Sequence, residues 1–426
     1  MKSGCSILQA LLACMLVLAV ARVCIAQENL SWTQVKARFE ASNPVLKADS
    51  LAVDEMRAEE TTAYLRPNPQ LTFSADGTQI APEQGIWQPL TGTFIVPTIS
   101  YLHERGHKRE LRLQSAQEGT RIASSQSQDV KRSLEFTLRQ EFIATLQSKA
   151  VLELAKADLA YYDNIIDISR NRYKAGDLAR IDLDRIELLR VQYEVELQTA
   201  KVNLRTAKIQ LLQLLDDHTS VDQFDVNGPF DFSDNLLPLE SYRQIALSNR
   251  PDLQAALQAA EQAETNHKLA IANGSTDPTF SGWYTWNASN NNPHGLQTLG
   301  ASVNIPLRVF DRNQGEKQRT LLDISRSQQL EEATRAQVFS DVDSAYAQVE
   351  SSIELLKPYK AQYRDQAIRV RDTVTYAYQH GGASLMDFLN AQSDYRTVQL
   401  AYLQLIGSYL TAVGQLNLAV GTEAIP

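Results

Sequence analysis

Two patterns of apolar residues divide the chain into predicted helices and strands. In two long stretches apolar residues recur at spacings of three and four, which is the seam of a coiled-coil helix. The longer seam is Phe388, Ala391, Tyr395, Val398, Tyr402, Leu405, Tyr409, Ala412, Leu416 and Ala419. The shorter seam is Tyr193, Leu197, Ala200, Leu204, Ala207, Leu211 and Leu214. The proline-free stretch Gly106–Lys174 predicts a single helix of roughly 100 Å at 1.5 Å per residue.

A second pattern, in which residues of two faces alternate along short segments, predicts four strands. The predicted strands are Gln70–Ile80, Thr91–Ser100, Pro278–Ala288 and Leu299–Ile305. A polar linker, Ser289–Gly295, joins the last two. A length of about 9–11 residues suits a tilted membrane-spanning strand. The aromatic residues Trp283, Tyr284 and Trp286 suit an interfacial girdle.

The two halves of the chain repeat each other. Pro44 matches Pro251 and Pro97 matches Pro306, and the offset stays nearly constant along the chain, which indicates a duplication. Each half begins with a predicted helix, Ser31–Tyr64 or Leu239–Ala272, followed by two strands and a long helical hairpin. Pro358 interrupts the long helix of the second half alone and predicts a kink or a local end there. The predicted domain organisation is 1–26 for a signal peptide, 27–228 for the first repeat and 229–426 for the second.

The first 26 residues have the composition of a secretory signal. Lys2 is followed by an apolar stretch over 7–20 and by small residues suited to cleavage after Ala26. The apolar stretch is short for a membrane span of about 20 residues. Lipidation of Cys24 is an alternative, although Val23 before it is larger than that reaction favours.

The charge and the cysteine content argue against two classes of function, nucleic-acid binding and thiol chemistry. The net charge is −9, and it becomes −11 without the signal, which holds Lys2 and Arg22. An acidic chain repels phosphates, so nucleic acid is not predicted as a partner. All three cysteines lie in the signal, so cleavage would leave no thiolate or disulfide.

The four strands by themselves cannot form a membrane barrel. A barrel in lipid must close without a free edge, so several protomers would have to share one. The predicted fold class is therefore mainly α with a transmembrane β part: a duplicated module in which four strands per chain contribute to a shared barrel. A two-hairpin cap on a helical bundle outside the membrane is the alternative for the strands.

Two corresponding motifs carry a resemblance to a known family. They read Tyr173-Lys-Ala-Gly-Asp-Leu-Ala-Arg-Ile-Asp182 and Tyr378-Gln-His-Gly-Gly-Ala-Ser-Leu-Met-Asp387, and each continues into a heptad helix. Together with the duplicated prolines, they make the chain resemble the TolC family of outer-membrane efflux proteins over nearly its whole length. A glycine at each motif permits the positive φ of a tight turn between helices.

The resemblance implies a homotrimer with a twelve-stranded barrel in outer-membrane lipid and helices that extend into the periplasm. It also implies a periplasmic adaptor (membrane fusion) protein and an inner-membrane pump of RND or ABC type as partners. The helical tips would form the gate. By resemblance the pore constriction involves Asp387, Tyr378, Asp182 and Asn390. The tip turns and adaptor contacts involve Gly176, Gly381, Gly382 and Tyr173.

Two features of the tips leave the gate assignment open. The tip arginine of the family falls on Ala383, and a second acidic position falls on Asn390, so the ring is predicted to be less negative than in relatives. Asp182 and Asp387 also lie near helix starts, where a carboxylate can simply cap the helix.

No signature of an enzyme is present, and no cofactor or metal site is predicted. His103 and His107 have helical spacing but no evident third ligand, and Gly106 interrupts them. The predicted function is a passive outer-membrane duct for small molecules or metal ions that an inner-membrane pump expels. The alternatives are a periplasmic coiled-coil scaffold without a pore and a type I protein-secretion duct; a porin-like uptake channel is disfavoured by the helical content.

Overall fold

The computed structural model describes residues 28–82, 84–90, 92–286 and 296–425. The predicted signal peptide with Cys24, and the whole polar linker before the fourth strand, lie outside the described residues. The helices are α1 Trp32–Ser42, α2 Pro44–Tyr64, α3 Lys108–Ala175, α4 Arg180–Leu214, α5 Leu239–Asn249, α6 Pro251–Asn273, α7 Gln314–Pro358, α8 Arg364–Gln379 and α9 Leu385–Val420. The strands are β1 Glu28–Leu30, β2 Gln70–Asp76, β3 Phe94–Leu102, β4 Phe224–Val226, β5 Thr279–Trp286 and β6 Gln297–Asn304.

Each half begins with two helices where the sequence predicted one. Pro44 opens α2 and Pro251 opens α6, because proline has no N–H to donate within a helix and disfavours helical geometry in the residue before it. Asn43 has ψ 121° and is not helical. Its side-chain oxygen accepts hydrogen bonds from the N–H groups of Val45 and Leu46, at 2.9 and 3.1 Å, and so caps the new helix.

The long helix of the first half is uninterrupted, whereas that of the second half is not. Helix α3 runs over 68 residues, close to the predicted range. In the second half α7 ends at Pro358, a π-helical turn follows over Tyr359–Tyr363, and α8 begins at Arg364. A proline that lacks its N–H leaves a carbonyl without its usual partner, and a π turn is one local adjustment to that loss.

The chain divides into two compact units, each of which draws on both halves of the sequence. The first unit comprises residues up to Lys47, Lys131–Asn249 and those from Ser340 onward. Its largest packed cluster includes Phe39, Leu138 and Leu211, each completely buried. Strands β1 and β4, which the sequence did not predict, pair in parallel beside this cluster.

A buried ionic contact fastens strand β4 to the long helices of the first unit. The Asp225 carboxylate lies 2.6 Å from the Lys149 ammonium and 3.1 Å from that of Lys208. Burial disfavours the charged carboxylate, but hydrogen bonds from the two ammonium groups lower the pKa of Asp225 overall. Lys208 also donates to the carbonyl of Phe224 at 2.7 Å.

The second unit contains the sheet and comprises Ala48–Val130 and Arg250–Phe339. Its four antiparallel strands lie in the order β2-β3-β5-β6, so the two halves meet where β3 pairs with β5. The strands have seven to nine residues; the first three are shorter than predicted, and β6 begins two residues earlier than predicted. None of the helices in the described ranges combines the length and apolar character that crossing a membrane requires.

Candidate functional site: the faces of the sheet and the two helical tips

One face of the four-stranded sheet is apolar. Directly opposed residues of neighbouring strands point to the same face, and the register places Tyr101 opposite Phe280 and Phe280 opposite Val303. The residues of this face are Leu71, Phe73, Ala75, Ile95, Pro97, Ile99, Tyr101, Phe280, Gly282, Tyr284, Trp286, Leu299, Ala301 and Val303, with one polar residue, Gln297, opposite Trp286. In β5 and β6 these are the positions that the predicted alternation places on one side of the strand.

The opposite face of the sheet is mainly polar. It carries Thr72, Ser74, Thr98, Ser100, Ser281, Thr285, Thr298, Ser302 and Asn304. Its apolar exceptions are Phe94, Val96 and Leu102 on β3 and Trp283 on β5. Trp283 lies opposite Gly300. A Cβ atom on Gly300 would overlap the Trp283 ring, so the glycine makes room for the ring on this face.

The apolar face of the sheet is exposed in the single chain. Phe73 has 69% of its surface exposed and Leu299 has 86%. A contiguous apolar face of this size is unfavourable in water and marks a surface that lipid or protein covers. An apolar face towards lipid and a polar face towards a lumen is the arrangement of a membrane β-barrel wall.

The two helical tips close with the same backbone geometry. Gly176 and Gly381 have φ of 84° and 75°, which L residues with side chains rarely adopt. In the first tip the N–H of Asp177 donates to the carbonyl of Arg172 at 2.9 Å. In the second the N–H of Gly382 donates to the carbonyl of Ala377 at 2.8 Å. Both bonds span five residues, as in a Schellman motif, and they end α3 and α8.

Asp387 forms a helix cap. Ser384 is the N-cap of α9, and its hydroxyl accepts a hydrogen bond from the N–H of Asp387 at 3.2 Å. In return the Asp387 carboxylate accepts from the Ser384 hydroxyl at 2.7 Å and from its N–H at 3.1 Å. These hydrogen bonds lower the pKa of Asp387. The carboxyl group is nevertheless fully exposed, so capping leaves it accessible to solvent.

The first tip places its corresponding residues differently. Asp182 occupies the equivalent position in α4, but the N-cap there is Ala179, which offers no side-chain hydrogen bond. Asp182 is half-buried, and its charge helps to raise the pKa of Tyr378. Tyr173 keeps 39% of its surface exposed, and the Arg180 guanidinium lies 5.7 Å from its ring centroid.

Tyr378 lies in the packed core of the tips. Only 4% of its surface is exposed, and its ring stacks on Phe388 at 5.0 Å. Arg172 of α3 lies against this ring and donates to the carbonyl of Tyr378 at 2.7 Å. Burial raises the pKa of Tyr378, and its hydroxyl makes no hydrogen bond in the part of the chain that the structure describes. Tyr378 therefore links the two hairpins within one protomer.

Two other residues near the second tip have distinct surroundings. Asn390 is exposed one helical turn beyond Asp387. Ala383 is half-buried and packs against the apolar cluster that contains Phe388. An alanine side chain there cannot form an ionic latch. The structure thus brings Asp387 and Asn390 together on the solvent side of the tip, and Tyr378 and Ala383 together on its packed side.

A group of charged and aromatic residues behind the tips was missed by the sequence reasoning. Arg396 on α9 donates to both carboxylate oxygens of Glu196 on α4, at 2.8 and 2.7 Å. Arg371 on α8 lies 4.0 Å from the centroid of the Tyr395 ring. Burial raises the pKa of nearby Asp158 to about 6, although Arg396 and Arg371 oppose that change. These residues are far apart in sequence, and no local spacing signals their contact.

The histidine pair considered as a metal site does not form one in the structure. His103 and His107 are both exposed, and His107 has φ 57°, so they do not share a helical face. Among the described residues no group of three histidine, cysteine, aspartate or glutamate side chains could hold a metal ion.

Comparison with known proteins adds to this geometry. The family model for "Outer membrane efflux protein" matches residues 242–422. The cobalt-zinc-cadmium resistance protein CzcC of Cupriavidus metallidurans is 22% identical over 383 residues, which are 89% of this chain and 87% of that protein. Crystal structures of CusC match with a TM-score of 0.75 at 17% identity over 92% of each chain. The outer membrane protein VceC of Vibrio cholerae matches with a TM-score of 0.71 at 17% identity over 92% of this chain and 96% of that one.

An exposed apolar sheet with a polar reverse face, joined to long coiled-coil helices, defines a channel-forming membrane protein. The chain is similar to outer membrane efflux proteins, by the family model over residues 242–422 and by CzcC over most of its length. The resemblance to TolC-family proteins drawn from the sequence motifs is thereby confirmed, as is the outer membrane as its location. The mostly helical fold is confirmed as well.

Proposed function

We propose that this chain is one protomer of a homotrimeric efflux duct in which each protomer lends four strands to a twelve-stranded barrel. The observation that carries the proposal is the exposed apolar face of the sheet, with a polar face behind it. The duct is passive, since the helices and the sheet provide a path rather than a reaction. Its predicted organisation, a signal peptide over 1–26 and two repeats over 27–228 and 229–426, belongs to the same proposal.

Two features of the single chain support an oligomer. Strands β2 and β6 each pair with one neighbour within the described sheet, and an unpaired edge in lipid is strongly unfavourable. Helix α4 also has an exposed apolar stripe with a spacing of seven residues: Ile181, Leu188, Val195, Val202 and Ile209. Such a stripe is typical of a coiled-coil seam, and it stays exposed among the residues that the structure describes. A neighbouring protomer would cover both the edges and the stripe.

The proposed partners are a periplasmic adaptor and an inner-membrane pump of RND or ABC type. Efflux needs energy, and a pump would supply it from the inner membrane. The tips would meet the adaptor through the turns at Gly176, Gly381 and Gly382 and through the exposed ring of Tyr173. The exposure of Tyr173 supports its role in this contact.

The proposed gate is formed by exposed polar groups at the second tip. Asp387 and Asn390 would face the pore, with Asp182 of the first tip nearby. Three copies of Asp387 around a narrow axis would attract cations and oppose one another's ionisation. Because its ring is buried, Tyr378 would not face the pore; it would stabilise the position of α9, which carries Asp387.

The gate can be tested by conductance of reconstituted trimers in planar bilayers. We expect Asp387→Ala to change the conductance and reduce cation selectivity. Ser384→Ala removes the cap partner but leaves the carboxylate in place, so it separates loss of charge from loss of the cap. Asp394→Ala, an exposed position further along α9, is the matched charge control. Equal conductance and selectivity in Asp387→Ala and Asp394→Ala would remove Asp387 from the gate.

The duct itself can be tested by fractionation and electrophoresis. An outer-membrane protein that needs detergent and runs as an SDS-resistant trimer is the expected result. A monomer released from the periplasm without detergent would instead indicate the scaffold without a pore.

Divalent metal ions are the first cargo to test. The support is the similarity to CzcC, a relative named for cobalt, zinc and cadmium resistance. Deletion of the coding sequence should lower the concentration of these ions that cells tolerate, and the intact chain should restore it. Unchanged metal tolerance with altered tolerance of organic toxicants would assign small molecules as the cargo, and loss of a secreted protein would assign protein export.

A further inference from the structure

The two ends of the sheet differ in charge. The stretches 70–102 and 278–307, which hold the four strands and the loops between them, contain no lysine or arginine. Basic residues occur immediately outside both stretches, where the strands join the helices. These flanking arginines are Arg66, Arg105, Arg308 and Arg312. The helical end of the sheet is therefore basic, although the whole chain has a net charge of −9.

Two of the acidic residues at the helical end of the sheet, Glu104 and Asp277, are paired with basic side chains. A third, Asp311, is exposed beside Arg312, and its carboxylate accepts a hydrogen bond from the N–H of Asn313 at 2.8 Å. The Glu104 carboxylate accepts two hydrogen bonds from Arg112, at 2.5 and 2.8 Å, and this guanidinium lowers the pKa of Glu104. The Asp277 carboxylate lies 2.5 Å from the buried ammonium of Lys108. Both carboxylates are thus neutralised by residues other than the four flanking arginines.

Three of the flanking arginines have no ion-pair partner within the described part of the chain. Arg66, Arg105 and Arg312 are exposed. Arg308 is half-buried, and its positive charge helps to lower the pKa of Asp277. The excess positive charge at this end is consequently available to an anionic partner.

Exposed apolar side chains lie among these arginines. Leu65 precedes Arg66 and has 61% of its surface exposed. Leu307 and Phe310, between which Arg308 lies, have 82% and 90% exposed. They follow Ile305 and the apolar face of β6 directly along the chain, so the apolar surface continues past the end of the strand.

The segment that carries Phe310 is held in place by its neighbours. The Asn313 side chain donates to the carbonyl of Ala270 on α6 at 2.8 Å, which ties the segment to that helix. The Gln314 side chain donates to the carbonyl of Phe310 at 3.1 Å. These hydrogen bonds fix the backbone of the segment in the conformation that leaves the Phe310 ring exposed.

We propose that this basic and apolar belt, formed by Leu65, Arg66, Arg105, Leu307, Phe310 and Arg312, binds the periplasmic leaflet of the outer membrane through anionic phospholipid headgroups. The inference rests on the proposed function, since it requires the sheet to span that membrane. The arginines contact lipid phosphates, while Leu307 and Phe310 enter the boundary between headgroups and acyl chains. The absence of basic residues at the opposite end of the sheet gives the belt a single orientation relative to the bilayer.

Depth of insertion tests the apolar part of the belt. The mature chain without its signal has no cysteine, so Phe310→Cys can carry one fluorescent label in trimers reconstituted into vesicles. We expect lipids brominated near the headgroup to quench this label. Leu299→Cys on the apolar face of β6 should be quenched by lipids brominated deeper in the chain, and Met386→Cys at the second tip by neither.

The three labels distinguish the failure of this inference from the failure of the proposed function. If the label at 299 is quenched and the label at 310 is not, the belt does not reach the bilayer and the inference is wrong. If the label at 299 is not quenched by any brominated lipid, the sheet does not lie in the membrane and the proposed function is wrong.

Lipid selectivity tests the basic part of the belt. Trimers in detergent are mixed with phosphatidylglycerol or phosphatidylcholine, and the bound lipids are counted by native mass spectrometry. We expect phosphatidylglycerol to be preferred, and Arg312→Gln to weaken its binding by about five-fold, the effect of one basic residue near an anionic surface. Arg312→Lys should retain the preference, because it keeps the charge.

The matched control is Arg326→Gln, which makes the same charge change on exposed α7, where Arg326 pairs with Asp323. Equal loss of phosphatidylglycerol in the two variants, or no loss in either, would overturn the inference. Inorganic phosphate should not displace the lipid at millimolar concentration. Displacement would indicate a site for free phosphate rather than for a membrane.

Discussion

The two helical tips share a backbone but not a set of side-chain contacts. Both turns use a glycine with positive φ and a hydrogen bond that spans five residues. In the second tip Ser384 caps α9, whereas its equivalent in the first tip is Ala179. Tyr378 of the second tip is buried, whereas its equivalent, Tyr173, is exposed. The turn depends on one glycine and is therefore retained in both copies, whereas caps and packing have diverged. The first tip keeps its aromatic ring on the surface, and the second uses its ring for packing.

The apolar packing around Phe388 in the second tip is expected to give the largest change in local stability when it is removed. Phe388 is completely buried against Tyr378, so Phe388→Ala should cost about 3–5 kcal/mol of local stability. Hydrogen exchange of the tip amides would measure this loss. Met386→Ala, which removes an exposed side chain two residues away, is the control and should have little effect. Similar exchange rates in both variants would show that the packing does not stabilise the tip.

The shared backbone predicts equal effects at the two turn glycines. Gly176→Ala and Gly381→Ala should each cost about 1–2 kcal/mol, because alanine is strained at positive φ. Nothing lies within 4 Å of a Cβ atom at either position, so the cost comes from the backbone alone. Gly382→Ala is the control, since Gly382 does not have positive φ. A large difference between the first two variants in hydrogen exchange would mean that the turns are not equivalent.

The cap can be removed from one tip and introduced into the other. Ser384→Ala should destabilise the start of α9 by about 1 kcal/mol. Ala179→Ser should stabilise the start of α4 by a similar or smaller amount, because Asp182 already occupies the position of Asp387 in the capping box. Slower exchange of the amides at 180–183 would confirm the gain. No change in Ala179→Ser would show that the first turn cannot adopt the cap geometry.

The smallest expected effect is a dependence of the second tip on pH. The folded pKa of Asp387 is lowered, so its contribution is complete above the pKa of the unfolded chain, about 3.9. It is lost as the pH falls through the folded value. Protection of the α9 amides, corrected for intrinsic exchange rates, should therefore fall below about pH 4 in the wild type. The fall should be smaller in Ser384→Ala, which loses the hydroxyl hydrogen bond, the largest cause of the lowered pKa, and keeps the backbone one.

The features that sequence reasoning predicted well depend on neighbours along the chain. The seam residues Phe388, Ala391, Tyr402 and Leu416 are buried in α9, and the predicted alternation gives the correct faces of β5 and β6. The two turn glycines follow from the same local logic. The breaks before Pro44 and Pro251 could also have been predicted, because proline opens a helix more readily than it continues one.

Other features could not be predicted, because they depend on contacts between distant segments. Tyr173 and Tyr378 occupy equivalent places in the repeat, yet only the second is buried, since Phe388 and Arg172 enclose it. The ion pair between Arg396 and Glu196 joins residues two hundred positions apart. A periodic pattern shows which residues share a face of a helix, but not which helix that face meets.

Most elements of this protein follow from local sequence: the long helices with apolar seams, the four strands of the sheet, the two glycine turns and the duplication. These follow from spacing and backbone preference, which act over a few residues. Only the tertiary structure decided that β3 pairs with β5 across the repeats, that the apolar face of the sheet stays exposed, and that Asp387 is a cap. Pairing, exposure and hydrogen bonding are properties of neighbours in space, which the order of residues along the chain does not specify locally.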